Sequence, residues 1–328
     1  MDRSVSSAWL DRCVAALVAE VGYRPEEPLV VGVRLPQFGD YFFTQGWAPT
    51  GSSLAHDTVL YTASLSKQIT AACLALLVQQ GVLNLDSVLS QWIPELPGWA
   101  SSVRLHHLLR HAGGLPGDTE IDAACLAAGQ IDRTTEGLLT SLASFPHLSA
   151  EPGSRFAYSN AGYVCLAVVI ERAATQPLPA FAHEHLFEPL GMSRTRYWPG
   201  PAPHPPGAVP LMPRHPAPLS QGDGGVWSSA KDLLRWCQAL NDNELHVTDL
   251  VESPGHLGDG TPTGYAWGMG VRTHRGQLIY RHGGGWQSLR ALLTRAPAAG
   301  LSLVTIALAD DTERRIPLTD SLLDLLIV

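Results

Sequence analysis

The sequence predicts an α+β fold, in which an antiparallel sheet is flanked by helices and carries an inserted all-helical lobe. Strand-like segments, bounded by turn-forming residues, occur near both ends of the 328-residue chain. Between them, residues 86–219 carry mostly helical periodicity. We therefore expect one unit over residues 1–328, with an α/β part at about 1–85 and 220–328 and the helical lobe at about 86–219.

The N-terminal segment predicts a helix followed by a β-hairpin. An apolar stripe at helical spacing between residues 10 and 21 predicts an amphipathic helix. The apolar run at residues 29–35 predicts a strand, residues 36–39 supply turn formers, and residues 40–46 predict the returning strand. The two strands should pair antiparallel because the connection between them is short.

A second helix is predicted from near Ser64 to about Gln80, with Gly81 as its C-cap. Apolar residues occur on all sides of this helix and not on one face only. A helix with this composition is typically buried in the centre of a protein.

The rest of the chain predicts further helices and then a meander of strands. Helices are predicted at residues 105–110, 134–145, 163–174 and 180–187. Nine prolines between positions 199 and 218 exclude a helix or a central strand, and we interpret this stretch as a surface loop rather than a linker. Strands and then a last helix are predicted at residues 265–272, 277–281, 289–295, 301–308 and 314–326.

Composition excludes several classes of protein. Apolar residues make up 45% and charged residues 16% of the chain, which is typical of an ordered globular protein. The net charge of −8, without a basic stripe, argues against binding to nucleic acid or to an anionic membrane. The five cysteines are far apart and form no C-x-x-C pair, so neither a disulfide framework nor a zinc site is indicated. Because the N-terminus does not resemble a secretory leader, we expect a cytoplasmic protein.

Lys67 is one of only two lysines, whereas the other twenty basic side chains are arginines. It lies three residues after Ser64, so both side chains share one face of the predicted helix. An amine can lose its proton when it is desolvated or lies beside positive charge, but a guanidinium stays charged. The pair therefore predicts a serine nucleophile with a lysine base.

Two further segments carry polar or glycine residues that suit a reaction site. Tyr158 could relay a proton to or from the serine–lysine pair, and Asn160 could orient the amine or a substrate amide. The alternative is a turn that caps the next helix, with Tyr158 as a packing residue. His282 and the glycines at 283–285 follow a predicted strand, where a ligand could approach the backbone closely, although a tight turn is the alternative.

Together the three segments resemble the serine β-lactamase and penicillin-binding-protein superfamily. The resemblance is closest to its branch of class C β-lactamases, D,D-peptidases and family VIII carboxylesterases, which carry S-x-x-K, Y-x-N and K-T-G or H-x-G in this order. Three other stretches are similar to segments of this family, at residues 105–116, 188–195 and 228–233. The resemblance covers about residues 10–325 and implies the β-lactamase/transpeptidase-like fold.

The resemblance implies the chemical roles of three residues. Ser64 would be the acylated nucleophile, and Lys67 would be the base that activates it. Tyr158 would pass a proton to the leaving group and later help to activate the incoming water or alcohol.

The resemblance also implies which groups surround the substrate. Asn160 would position Lys67 and the substrate. His282 and Gly284 would lie in the strand beside the substrate. The N–H groups of Ser64 and Gly285 would form the oxyanion hole.

We expect a serine hydrolase that acts on a small ester or amide through an acyl-Ser64 intermediate, with water as acceptor. An acyltransferase of secondary metabolism, in which an alcohol or amine replaces water, is the alternative. A β-lactamase or D,D-peptidase is disfavoured because His282 replaces the lysine of β-lactamases and Gly283 lacks a side-chain hydroxyl. A catalytically inactive binding domain is disfavoured because serine, lysine and tyrosine are all present.

The sequence predicts no metal and no cofactor. His107 and His111 are four residues apart on a predicted helix, with His106 beside them, but the similar family segment keeps histidines without metal and no third ligand follows by spacing. The sequence leaves the oligomeric state open. It also leaves open whether a set of tryptophans packs in the core or lines an acyl pocket, namely Trp227, Trp267 and Trp286.

Overall fold

The computed structural model describes residues 6–130, 133–211, 217–308 and 313–327, and its main feature is a six-stranded antiparallel sheet. Neighbouring strands follow the order β2-β1-β9-β8-β7-β6. The predicted fold class is therefore confirmed, because β1 from the N-terminal part pairs with β9 from the C-terminal part. The strands of this sheet are β1 Leu29–Leu35, β2 Gly39–Gln45, β6 Gly270–His274, β7 Gln277–Trp286, β8 Leu289–Ala296 and β9 Leu301–Leu308.

Two predicted strands have different bounds in the structure. The strand predicted at residues 265–272 begins only at Gly270, after an irregular segment. The strand predicted at residues 277–281 continues through the glycines to Trp286, paired with β8 as far as Trp286 opposite Leu289. Glycine has a low intrinsic strand preference, but here the neighbouring strand supplies the hydrogen-bond ladder.

Eleven helices lie in the described part of the chain. The bounds of the longest match the predictions closely, whereas the helix predicted at residues 180–187 is a short α-helix followed by a π turn, His183–Phe187. The helices are α1 Ser7–Glu20, α2 Ser66–Gln79, α3 Leu89–Trp92, α4 Leu105–Leu109, α5 Asp118–Ala127, α6 Thr135–Ala143, α7 Asn160–Ala174, α8 Leu178–Ala182, α9 Ala230–Asn241, α10 Thr248–Val251 and α11 Arg315–Leu326.

The main sheet has a hydrophobic core on each face. Successive side chains of a strand point to opposite faces, so Val30 and Val31 belong to different cores. Val31 packs in the core that includes residues of α1 and α11. Val30 packs in the larger core that includes α2, α7 and α9. The sheet is thus covered on both faces, which explains why β1 and β9 are apolar at nearly every position.

A small second sheet was not predicted from the sequence. It contains β3 Leu60–Tyr61, β4 Arg196–Tyr197 and β5 Val226–Ser228, in the order β3-β5-β4. Strands of two or three residues are too short to show alternation. This sheet holds the chain immediately before Ser64, because Thr62 donates its N–H and its hydroxyl to the carbonyl of Val226.

Helix α2 is the central helix, as predicted. It follows a 3₁₀ turn, Ala63–Leu65, and is buried along nearly its whole length. Gly81, with φ +73°, terminates it. Within the described residues no single helix is long and apolar enough to cross a membrane; only the bent pair of Asn160–Ala174 and Leu178–Phe187 meets the length and composition criteria jointly.

The proline-rich stretch contains no helix in its described residues, 199–211 and 217–218. Part of the predicted loop, residues 212–216, lies outside the described residues. The division of the chain into an α/β part and a helical lobe at the predicted boundaries stays a prediction.

Candidate active site

Ser64 and Lys67 lie together at the N-terminal end of the central helix. Ser64 is in the 3₁₀ turn and Lys67 is the second residue of α2, so one helical turn separates them. Lys67 Nζ lies 3.2 Å from Ser64 Oγ, which confirms the predicted proximity. Ala63, just before the serine, is buried with φ +48°, a left-handed backbone that is strained for a residue other than glycine.

The Lys67 side chain is fully buried and contacts three oxygen atoms. Besides Ser64 Oγ, its Nζ lies 2.7 Å from Asn160 Oδ1 and 2.8 Å from the carbonyl oxygen of Asp223. Both of these oxygens can only accept hydrogen bonds. A neutral amine has two N–H groups and one lone pair, so it can donate to both oxygens while its lone pair faces the Ser64 hydroxyl. This geometry suits proton abstraction from the serine.

Tyr158 lies on the open side of this pair. Its ring centroid is 5.0 Å from Lys67 Nζ, and 40% of the residue is exposed to solvent. The next residue, Ser159, is the N-cap of α7, and its Oγ accepts the N–H of Gly162. The turn therefore caps the helix and also brings Asn160 to Lys67, as predicted, while proton relay by Tyr158 stays a prediction.

The glycine segment of β7 also borders this site. Pairing between β6 and β7 ends with Gly270 opposite Arg281, so β6 leaves the edge of residues 282–286 uncovered. A Cβ atom on Gly284 would lie 2.2 Å from the carbonyl oxygen of Thr62. The absence of a side chain therefore lets β7 approach the chain segment that carries Ser64. Gly285, one residue further, is exposed at the site.

His282 is buried beside this cluster as a neutral imidazole. Its Nδ1 lies 2.7 Å from the carbonyl oxygen of Gly283, so Nδ1 carries the hydrogen. Burial, with the charge of Lys67 as the second cause, lowers the pKa of His282 to about 3. The structure thus supports the expectation that this residue, unlike a lysine, supplies no positive charge at pH 7.

With this geometry established, comparison with known proteins identifies the family. The family model described as Beta-lactamase matches residues 39–323. The chain belongs to the β-lactamase family. The match includes the serine–lysine pair, Tyr158, Asn160 and the β7 glycines.

Relatives in the β-lactamase family include an esterase and a penicillin-binding protein. Esterase EstB from Burkholderia gladioli is 30% identical over 331 residues, which cover 79% of this chain and 83% of the esterase. Penicillin-binding protein 4* from Bacillus subtilis (strain 168) is 29% identical over 276 residues, or 74% of this chain. The chain spans only 59% of the length of that protein.

Solved structures confirm the β-lactamase/transpeptidase-like fold, since a class C β-lactamase superposes with a TM-score of 0.78 over 98% of both chains at 17% identity. D-amino acid amidase from Ochrobactrum anthropi SV3, complexed with L-phenylalanine, superposes with a TM-score of 0.80. The alignment covers 96% of this chain and 98% of the amidase at 19% sequence identity. The family is therefore one of serine hydrolases, and its members include esterase EstB.

Sequence reasoning assigned no role in this site to His111. Its Nδ1 accepts the N–H of Ser159 at 3.1 Å, and its ring lies 4.3 Å from the ring of Tyr158. Burial, followed by the charges of Lys67 and His282, lowers the pKa of His111 well below its usual range. The ring therefore supports the Tyr158 segment as a neutral group. No spacing in the sequence indicates this contact, because 47 residues separate His111 from Ser159 in the chain.

His107 and the three tryptophans make contacts that stabilise the fold. His107 Nδ1 accepts the N–H of Arg104, and the described residues contain no cluster of histidine, cysteine or acidic residues that could hold a metal ion. Trp227 and Trp267 are buried and pack in the hydrophobic core, which was one of the two alternatives for them. Trp286 is partly exposed and stacks on the guanidinium of Arg133 at 5.6 Å.

The buried imidazoles predict acid sensitivity of the folded state. The pKa of His282 and of His111 is lower in the native state than the usual 6.5, so below pH 6.5 the unfolded chain binds protons that the native protein does not. The contribution of the neutral imidazoles to the stability is fully present above pH 6.5. It is lost progressively as the pH falls toward 3. For His282, whose native pKa is about 3, we expect the free energy of unfolding to decrease by about 1 to 2 kcal/mol from pH 7 to pH 5, and His111 should act in the same direction.

Urea unfolding at pH 7, 6 and 5 measures this effect. The variant His282→Gln should lose less stability over this range than the wild type does. The exposed His183 provides a matched control through His183→Gln. Equal pH dependence in His282→Gln and the wild type would contradict the assignment of a neutral buried imidazole.

Proposed function

We propose that this protein is a serine hydrolase that cleaves a small ester or amide through an acyl-Ser64 intermediate. One observation carries the proposal, namely that the fully buried Nζ of Lys67 lies 3.2 Å from Ser64 Oγ while two acceptor oxygens occupy its other contacts. This arrangement provides a base for the serine without a neighbouring ion pair. Among the described residues, no carboxylate lies within ion-pair distance of Lys67.

In the acylation step, Ser64 Oγ attacks the substrate carbonyl as its proton moves to Lys67 Nζ. The N–H groups of Ser64 and Gly285 hold the oxyanion, and each such donor is worth about 3 kcal/mol. Tyr158 then gives its proton to the departing alcohol or amine as the bond to the carbonyl carbon breaks. Lys67 returns a proton to the tyrosine. The partly exposed position of Tyr158 suits this role, because the leaving group must depart toward solvent.

In the deacylation step, water attacks the acyl-Ser64 carbonyl. Tyr158 accepts a proton from this water as it passes its own proton to the neutral Lys67. The Oγ–carbonyl bond then breaks as Lys67 returns that proton to Ser64 Oγ. Asn160 keeps Lys67 in place through its 2.7 Å contact. The strand with His282 and Gly284 borders the substrate.

We place neutral esters and amides ahead of β-lactams and D,D-peptides as substrates. A neutral His282 gives no positive charge for a substrate carboxylate, and Gly283 has no hydroxyl. The similarity to an esterase that is matched over 83% of its length supports this order. Water is the proposed acceptor, and a small ester or amide is the proposed acyl donor.

Covalent trapping tests the proposal. A fluorophosphonate and a series of p-nitrophenyl esters are incubated with the protein, and intact mass followed by peptide mapping locates the adduct. We expect one adduct, on Ser64, and no adduct on Ser64→Ala. The second control is Ser66→Ala, because Ser66 is the neighbouring serine on the same turn, and this variant should still be labelled.

The same experiment separates the alternatives. Amines and alcohols are added during ester turnover, and mass spectrometry identifies the products. Acyl transfer that outcompetes hydrolysis would show a transferase. No adduct on Ser64 with any probe would overturn the proposal and favour a binding domain without catalysis.

A further inference from the structure

Asp118, at the start of α5, binds the residue that contacts the lysine. The main-chain N–H of Asn160 donates to both carboxylate oxygens of Asp118, at 3.0 and 3.2 Å. The side-chain Nδ2 of Asn160 donates to Asp118 Oδ2 at 2.7 Å. One carboxylate therefore holds both the backbone and the side chain of Asn160.

This contact determines the orientation of the Asn160 amide. With Nδ2 bound to Asp118, the oxygen Oδ1 is the atom that faces Lys67 Nζ. Rotation of the amide by 180° would turn its NH₂ toward the amine and its oxygen toward the carboxylate, and both contacts would become unfavourable. A continuous series of contacts thus runs from Asp118 through Asn160 and Lys67 to Ser64.

Asp118 is not needed to cap its own helix. Gly117 is the N-cap of α5, and the side chain of Glu120 accepts its N–H at 2.9 Å. An acidic residue in the first turn commonly serves that function. Because Glu120 supplies it, the Asp118 carboxylate is available to Asn160, 42 residues further along the chain.

We propose that Asp118 is a positioning residue, which acts through Asn160 to hold Lys67 with its lone pair directed at Ser64. The inference rests on the proposed function, in which Lys67 is the base. It adds to the residues that support catalysis a carboxylate that lies in none of the three sequence motifs. Asp118 contacts neither the reacting atoms nor the substrate in this role.

The surroundings of Asp118 imply a dependence on pH. Burial raises the pKa of this carboxyl, while the Asn160 hydrogen bond and the Lys67 charge from α2 oppose the shift. Asp223 and Asp122 also face it and raise its pKa; Asp122 is paired with Arg133 at 2.8 Å. Protonation of Asp118 weakens its carboxyl group as the acceptor of the two Asn160 N–H donors.

The test compares Asp118→Asn with Asp122→Asn, which removes an acid one turn further along the same helix. The readouts are the pH profile of kcat/KM on a p-nitrophenyl ester and the rate of Ser64 labelling. We expect Asp118→Asn to lower kcat/KM at pH 8 by about 10- to 100-fold. The acidic limb of the Asp118→Asn profile should move to lower pH. Asp122 has the weakest of these effects on Asp118, so Asp122→Asn should keep kcat/KM at pH 8 within about twofold of the wild-type value.

A double-variant cycle shows whether Asp118 acts through Asn160. In an Asn160→Ala background, Asp118→Asn should lower kcat/KM by much less than it does in the wild type, because the side chain it orients is gone. Asp118→Ser is the second variant and is used if Asp118→Asn does not fold, since serine suits the first turn of a helix. Thermal melting identifies a variant that is merely unfolded.

Two results would overturn the inference. One is an unchanged acidic limb in an active, folded Asp118 variant, and the other is an additive effect of the two substitutions. Both would be seen in an enzyme that still hydrolyses the ester through Ser64. A wild-type protein that neither hydrolyses the ester nor labels Ser64 would instead contradict the proposed function itself.

Discussion

Replacement of Lys67 by arginine should lower kcat/KM on a p-nitrophenyl ester by about 10⁴-fold, the upper end of what a general base typically contributes. A guanidinium stays protonated and has no lone pair with which to accept the Ser64 proton. It is also larger than an ammonium, and the site of Lys67 is fully buried between Asn160 and the Asp223 carbonyl. Steady-state kinetics and the rate of fluorophosphonate labelling at Ser64 measure the loss.

The chain provides its own control for this substitution. Lys231, the only other lysine, is exposed on α9, so Lys231→Arg changes the same residue type outside the site. We expect kcat/KM of that variant to stay within about twofold of the wild-type value. Thermal melting separates loss of the base from loss of the fold. Appreciable turnover in a folded Lys67→Arg variant would contradict the assignment of Lys67 as base.

The second large effect is expected for Gly284→Ala, which should lower kcat/KM by about 100-fold. The added Cβ would lie 2.2 Å from the carbonyl oxygen of Thr62, where no heavy atom fits. Thr62 cannot easily move, because its N–H and hydroxyl are bound to the Val226 carbonyl. Strand β7 must therefore shift away from the turn that carries Ser64, and the two predicted oxyanion donors separate. Overpacking of this kind also costs about 1 to 3 kcal/mol of stability.

Gly283→Ala is the matched control, because the same methyl group is added one residue earlier. Its Cβ would have its nearest contact at 3.6 Å, an ordinary van der Waals distance. We expect this variant to keep its activity within a few-fold and its melting temperature within a few degrees. If Gly283→Ala and Gly284→Ala lost equal activity, the close approach of β7 to Thr62 would not be the cause.

The sequence predicted the long, strongly patterned elements well. β1 and β9 are mostly apolar because both faces of the sheet are covered, and α2 has apolar residues on all its sides because it is buried. Such runs are visible without a structure. The prediction failed where an element is defined by its partner. The late start of β6 at Gly270 and the extension of β7 through its glycines both depend on which neighbouring strand supplies hydrogen bonds.

The candidate site shows the same division. Ser64 and Lys67 lie within one helical turn, so their proximity follows from local geometry. Asp118 and His111 could not be assigned in this way. Each contacts the segment 158–160 across more than 40 residues of chain, and neither spacing nor residue type distinguishes it from other acids or histidines.

Residue order alone was sufficient for the family, the order of the main elements and the nucleophile–base pair, because these depend on local periodicity and on motifs of a few residues. Folding decided which acceptors surround the buried amine, which way the Asn160 amide faces and how closely β7 approaches Thr62. These features arise where segments distant in the chain meet. Their energies depend on distances of a few ångströms that no single segment encodes.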